Sequence, residues 1–171
     1  MTHDELVERA AIWLKKEHPI VVTEMTSGAR ETPDAIGWSS WGSVIIEAKA
    51  SINDFRADHE KFFRKYPEYG MGRLRYFIVP KELENTLKDN LPSGWGLLVC
   101  KGNRIYQIIK SEVFENNWKE EMILLGSIIR RIASNSQPFR GVNVRCYTYE
   151  SDVIPRASLH VDISEKSNSH K

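Results

Sequence analysis

Residues 43–50, Ser-Val-Ile-Ile-Glu-Ala-Lys-Ala, run from an apolar start into two opposite charges two positions apart. Such a run reads as a strand whose middle is buried on both faces, which puts it inside a covered sheet. Side chains two apart on a strand share a face, so Glu47 and Lys49 project together from the end of a core strand. Charges in that position are costly unless they are paired or bound to a metal ion.

The flanking segments supply the rest of the sheet. Residues 20–26 and 33–38 read as strands, and 39–42 (SSWG) as a tight turn. The second and third strands are then antiparallel neighbours, with Asp34 across from the Glu47 end. Ahead of them, Leu6, Ala10, Trp13 and Leu14 recur at helical spacing over residues 4–17, and Pro19 ends the helix. Behind them, Phe55, His59, Phe62 and Tyr66 predict one helix over 52–66. Residues 75–79, 95–100 and 104–110 read as strands, the last two joined through Lys101-Gly102-Asn103. A final amphipathic helix spans 112–133, with Trp118, Met122, Leu125, Ile129 and Ile132 on one face. The order α-β-β-β-α-β-β-β-α predicts an α/β fold, a mixed sheet flanked by helices. Residues 1–135 form the expected domain; 136–171 read as an irregular C-terminal extension, with disorder expected from Ser164 onward.

Bulk composition sets outer bounds. A chain of 171 residues, 41% apolar and 27% charged, fits one domain able to build its own core. Cys100 and Cys146 lack zinc-site spacing and read as reduced thiols of a cytoplasmic protein. No leader is expected, and no apolar run reaches membrane-spanning length, so no membrane partner is expected. A net charge of +1 neither supports nor excludes a nucleic-acid partner.

Two adjacent carboxylates repel and raise each other's pKa unless a cation sits between them. Mg²⁺ prefers a few carboxylate oxygens, carbonyls and waters. Asp34 and Glu47 are the expected metal ligands, with the Ala48 carbonyl placed to assist. Such an ion can cut phosphodiesters, with Lys49 orienting the water or neutralising phosphate charge. The alternative is a structural ion cluster at a strand end.

Pro33-Asp34 followed by Glu47-Ala48-Lys49 resembles the PD-(D/E)xK nuclease superfamily, whose order α-β-β-β-α-β matches the one read above. The resemblance implies a restriction-endonuclease-like core, with Asp34, Glu47 and Lys49 catalytic and Mg²⁺ (or Mn²⁺) as cofactor. It further implies nucleic acid, DNA foremost, as substrate, and a possible homodimer. In archaeal Holliday-junction resolvases a first-helix glutamate adds a metal ligand; Val7-Glu8-Arg9 is similar, giving that role to Glu8, with Glu5 as substitute.

A narrower resemblance covers residues 33–100. Glu47-Ala48-Lys49-Ala50-Ser51, then Asp54-Phe55 and Asp58, is similar to MmcB-like DNA-repair proteins. Gly70-Met71-Gly72, Arg75-Tyr76-Phe77 and Gly94-Trp95-Gly96-Leu97-Leu98 resemble small phage and prophage proteins. This implies DNA repair or phage DNA processing. Glu60 departs from the MmcB-like pattern, which has lysine there; Lys61 follows it. A non-catalytic nucleic-acid-binding module on the same fold is the rival expectation.

Asp54, Asp58 and Lys61 share a helix face, as either a solvated ion-paired face or support and phosphate contacts beside Glu47 and Lys49. Ser51 suits a helix cap. Arg56, Lys61, Arg64, Lys65, Arg73 and Arg75 form the candidate nucleic-acid contacts, against scattered solvated charges. Trp38 and Trp41 either stack on bases or pack in the core. His59 reads as a buried, satisfied histidine rather than a ligand.

Overall fold

A computed structural model describes residues 1–133 of the chain. Cys146, the 135/136 boundary and the C-terminal extension lie outside the described residues. Helix α1 (His3–Leu14) begins at a reciprocal cap, in which the Thr2 hydroxyl accepts from the Glu5 amide and the Glu5 carboxylate accepts from the Thr2 amide. Strands β1 (Ile20–Thr23), β2 (Ala35–Ser39) and β3 (Gly42–Ala48) follow as two antiparallel hairpin steps.

The chain then crosses over through α2 (Ile52–His59) and α3 (Phe62–Lys65) to β4 (Leu74–Pro80). A second crossover, carrying α4 (Glu84–Lys88), leads to β5 (Gly96–Lys101). Strand β6 (Arg104–Ile109) closes a hairpin, and α5 (Trp118–Ala133) ends the described chain. The six strands lie in the order β1-β2-β3-β4-β5-β6. The β3–β4 and β4–β5 pairs are parallel and the others antiparallel. The fold is α/β, a six-stranded mixed sheet flanked by helices.

Strand alternation sorts the core into two layers. Val44, Ile46 and Ala48 face α1, whose Leu6, Ala10 and Leu14 are fully buried against them. Ile45, Phe77 and Val79 face the other way, under Phe55 of α2, Leu87 of α4, and Leu124 and Ile128 of α5. Fully burying each such aliphatic or aromatic side chain contributes about 1.5–3 kcal/mol. Glu47 and Lys49 alternate in step with Ile45, so they emerge on the α2 face.

Two helices differ from the sequence expectations. The helix predicted over 52–66 is two pieces. Lys61 adopts extended backbone (φ −61°, ψ 140°) between them, which turns both Lys61 and Arg64 toward Asp58. The last helix starts at Trp118, not 112. The chain before it is extended because its amides are used elsewhere: Glu112 donates to Gly94, Phe114 to Arg73 and Asn117 to Gly70 carbonyls.

The predicted apolar face of α5 is also rotated. Trp118, Met122 and Ile129 are exposed and Leu125 is half-buried, while Glu120, Glu121, Leu124, Ser127 and Ile128 are buried. The packed side of α5 is partly polar because the Glu121 carboxylate accepts from Trp38 Nε1, Ser43 Oγ, the Gly72 amide and Asn116 Nδ2. Gly72 is required there. Its φ is +83°, and a Cβ would meet Ile45 Cγ1 at 2.8 Å.

Candidate functional site

Asp34 and Glu47 stand at the next register step beyond the Ala35–Ile46 pair, on the same face as Ile36 and Ile45. The β2–β3 hairpin therefore delivers both carboxylates to one place. Asp34 Oδ2 accepts from the Ala48 amide at 2.8 Å. The backbone of Ala48 thus meets Asp34 through its N–H, while its methyl is buried toward α1. Lys49 continues past β3, its amide donating to the Ile78 carbonyl at 3.0 Å, and its side chain is 5% exposed.

The Glu47 carboxylate is 1% exposed and meets three cations: Lys61 Nζ at 3.2 Å, Lys49 Nζ at 3.4 Å and Arg64 Nη2 at 3.5 Å. Asp58, also 1% exposed, binds the same three, with Lys61 at 2.7 Å, Lys49 at 3.0 Å and Arg64 Nε at 2.5 Å. Arg64 also reaches Glu31 Oε1 at 3.4 Å, and Glu31 Oε2 accepts from the Met71 amide at 2.6 Å. Three carboxylates and three cations thus interlock. Beneath them the Arg64 guanidinium lies 4.2 Å from the Trp95 ring centroid, and Phe77 stacks on Trp95.

The network is uneven in charge. Burial would raise the Asp58 carboxyl, but Arg64, Lys49 and Lys61 overcome it and hold it down at about 2. Burial and then the Glu47 charge push Asp34 up to about 7, against Lys49, the Ala48 amide and His3. Glu31 rises to about 7 for the same first two reasons, opposed by the Met71 amide and by Arg64 and Arg75. Burial works against charge on Arg64, but Glu47, Asp58 and Glu31 outweigh it and push its pKa above the ordinary range.

On the solvent side of Asp34, His3 Nε2 lies 3.8 Å from Asp34 Oδ1 and 3.5 Å from Glu24 Oε1. Glu24 holds a left-handed φ of 48°, and its amide donates to the Asp34 carbonyl. That conformation costs a non-glycine residue on the order of 1 kcal/mol. His3 thus brings an α1 side chain to Asp34. Glu8 is exposed further along the helix. Glu5 is used in the helix cap.

The remaining expectations divide. Asp58 belongs to the network. Asp54 sits at its rim, 4.0 Å from Lys49 and accepting from the Ala50 amide at 3.4 Å. Ser51 caps α2 by accepting from the Asp54 amide. Of the six basic residues, Arg64 and Arg75 are corrected from surface contacts to buried groups. The Arg64 side chain is 2% exposed. Arg75 is fully buried, donating to the Gly72, Gly70 and Glu115 carbonyls under Phe114. Burial lowers its pKa to about 10. Arg56, Lys61, Lys65 and Arg73 reach solvent, Lys61 half-exposed and ion-paired as above, and Lys65 bound to Glu60 at 2.7 Å. Trp38 is half-buried and Trp41 exposed. His59 is half-buried, edge-on to Phe55.

Sequence reasoning missed Glu31, His3 and Glu24. It also missed Trp95 as the floor beneath Arg64, although Trp95 lies in a stretch it singled out.

Asp34 and Glu47 place two carboxylates, the donor type a hard divalent cation prefers, on one face, and Lys49, Lys61 and Arg64 already surround Glu47. Among the described residues, no group of three His, Cys, Asp or Glu side chains is arranged to hold a metal ion. An ion here would complete its shell with water, as Mg²⁺ commonly does. A concavity of about 590 Å³, lined by Thr26, Ser27, Gly28, Ser127, Arg130 and Arg131, shares no residue with this network.

No protein-family model matches the chain, and no curated protein does. Among solved structures, the chain is similar to a protein of unknown function from Silicibacter pomeroyi, SPO1766. The identity is 20% and the TM-score 0.60, over 82% of this chain and 93% of that one. At that identity the likeness concerns the fold alone. Among the described residues, no helix is long and apolar enough to cross a membrane.

Proposed function

We propose that the protein is a metal-dependent nuclease of the restriction-endonuclease-like kind, hydrolysing a phosphodiester bond of DNA. The element order α-β-β-β-α-β and the resemblance around Pro33-Asp34 and Glu47-Ala48-Lys49 support this reading. The observation that carries it is the pairing of Asp34 with Glu47 on adjacent strands, with the Asp34 carboxyl lifted to about 7 by burial and by that neighbour. Two carboxylates held in that relation suit a shared cation.

Asp34 and Glu47 would hold Mg²⁺ or Mn²⁺. When bound, the ion supplies Lewis-acid polarisation and a more acidic water. Lys49 stands on the same face, where its ammonium can orient the attacking water or offset phosphate charge. Asp58 holds Lys49 in place through the 3.0 Å ion pair. Placement in DNA repair or phage DNA processing rests on the sequence resemblance alone.

One observation favours a second reading. Lys49, Lys61 and Arg64 already neutralise Glu47. A chain that keeps this network without an ion would be a nucleic-acid-binding module that does not cut. A cleavage panel of duplex, single-stranded, flapped and branched DNA, with Mg²⁺, Mn²⁺ or EDTA, separates the two. The nuclease reading expects ion-dependent cutting that Glu47→Gln and Lys49→Met abolish. Cutting that persists in both folded variants, or no cutting of any substrate, would refute it.

A further inference from the structure

The two guanidiniums withdrawn into the core change what kind of nucleic acid this surface can hold. Solvent-facing cations among the six basic candidates reduce to Arg56, Lys61, Lys65 and Arg73. Lys61 is turned to Glu47 and Asp58, and Lys65 to Glu60. Exposed Glu60 and Glu68 lie on the same segment. This segment therefore offers few cations free for phosphate contacts.

Beside the network the same segment presents something else. Phe62, Tyr66 and Tyr69 are 47%, 49% and 45% exposed. Their rings pack on one another rather than into the core, at centroid distances of 4.9 Å for Phe62–Tyr66, 5.5 Å for Phe62–Tyr69 and 6.5 Å for Tyr66–Tyr69. Phe62 and Tyr66 are four residues apart across α3, so their rings share one side of that turn. Lys61 directly precedes Phe62, and Arg64 lies between Phe62 and Tyr66. The platform is thus anchored by the side chains that hold Glu47 and Asp58.

We propose that Phe62, Tyr66 and Tyr69 form a stacking platform for unpaired bases of single-stranded DNA, delivering an unpaired strand to the Glu47–Lys49 face. Each base presents a π-face whatever its sequence, so stacking holds an unpaired strand with few charge contacts to its phosphates. The choice of DNA as the polymer rests on the nuclease reading; the stacking itself does not.

The test is fluorescence anisotropy in EDTA with a labelled thymidine 15-mer, a duplex of equal length and the RNA counterpart, which reads binding without cleavage. Single-stranded DNA should bind at least about tenfold tighter than the duplex, with a shallow salt dependence. The Phe62→Ala/Tyr66→Ala variant should lose tenfold or more of that affinity while melting like the wild type, and Phe62→Trp should retain it. Unchanged single-strand affinity in the alanine variant, or equal affinity for the duplex, overturns the platform. Tighter binding of the RNA overturns the assignment to DNA. Metal-dependent cutting of duplex DNA that the alanine variant keeps in full overturns the platform and leaves the nuclease reading standing. Platform-dependent binding with no cutting under any ion sustains the platform and removes the nuclease reading.

Discussion

Lys49 Nζ lies 3.0 Å from Asp58 Oδ1, and both side chains are at most 5% exposed. The pair joins the strand that carries the site to the helix that covers it. Asp58 is the common partner of Lys49, Lys61 and Arg64, so removing its charge leaves three buried or half-buried cations competing for Glu47. Breaking a buried pair from one side costs about 3–5 kcal/mol. Asp58→Asn should lower stability by that order in chemical denaturation, with the m-value unchanged. A loss below about 1 kcal/mol, the range of exposed ion pairs, would show that the network is solvated.

Stability should depend on pH with two opposite slopes. Asp34 and Glu31 ordinarily titrate near 3.8 and 4.5 and in the fold are raised to about 7. Between those values the folded chain keeps protons that the unfolded chain has released, so stability falls as pH rises through that window. Asp58, held down at about 2, favours the fold when ionised, and that contribution disappears as pH falls from about 4 to about 2. Melting temperature should therefore peak near pH 4–5. Glu31→Gln should remove its share of the decline toward neutrality, on the order of 3 kcal/mol. A melting profile flat from pH 5 to 8 would contradict both raised carboxyls.

Divalent ions should act on the same slope. A cation shared by Asp34 and Glu47 would favour the ionised carboxylates, so Mg²⁺ or Mn²⁺ should raise the melting temperature more at pH 8 than at pH 5. The effect should vanish in Glu47→Gln. Equal stabilisation of wild type and variant would place the ion elsewhere.

Arg75 and Arg73 separate structure from surface. Arg75→Met should destabilise the fold by about 3 kcal/mol, because the Gly70 and Gly72 carbonyls lose their donor. DNA affinity of the folded fraction should be unaffected. Arg73→Ala should leave the melting temperature within about a degree or two, and should flatten the salt dependence of any DNA binding by about one contact. The reverse pattern in melts and salt titrations would restore Arg75 to the surface.

Gly72→Ala tests the turn ahead of β4. The alanine would have to hold φ +83° and press a methyl against Ile45 and the Leu74 carbonyl. A loss of about 1–3 kcal/mol is expected. A variant as stable as the wild type would mean that the 70–73 turn can rearrange.

The parts of this structure that alternate with period two were readable in advance. Asp34, Glu47 and Lys49 could be placed together because two neighbouring strands and one tight turn determine which side chains share a face. Arg75 could have been read in the same way. It alternates in step with Phe77 and Val79, which are buried, and the cluster of arginines around it drew the wrong inference.

Other features left no periodic trace. Glu31 sits in a loop, and its role depends on Arg64 arriving from α3. The break at Lys61 is invisible to helical spacing, because it serves contacts with Asp58 and Glu47 rather than propensity. The apolar stripe of α5 misled because the helix packs through Glu121 and its four donors. Residues 84–88 form a helix too short to signal itself.

The alternation that places Glu47 also makes the site all-or-none. If β3 slipped one position along β2, Glu47 and Lys49 would swing through the sheet into the hydrocarbon layer under α1, and Ala48 would take their place beside Arg64. Length changes in the Ser40-Trp41 turn that carry such a slip can therefore preserve the site only in steps of two. An odd step does not weaken the constellation gradually; it dismantles it.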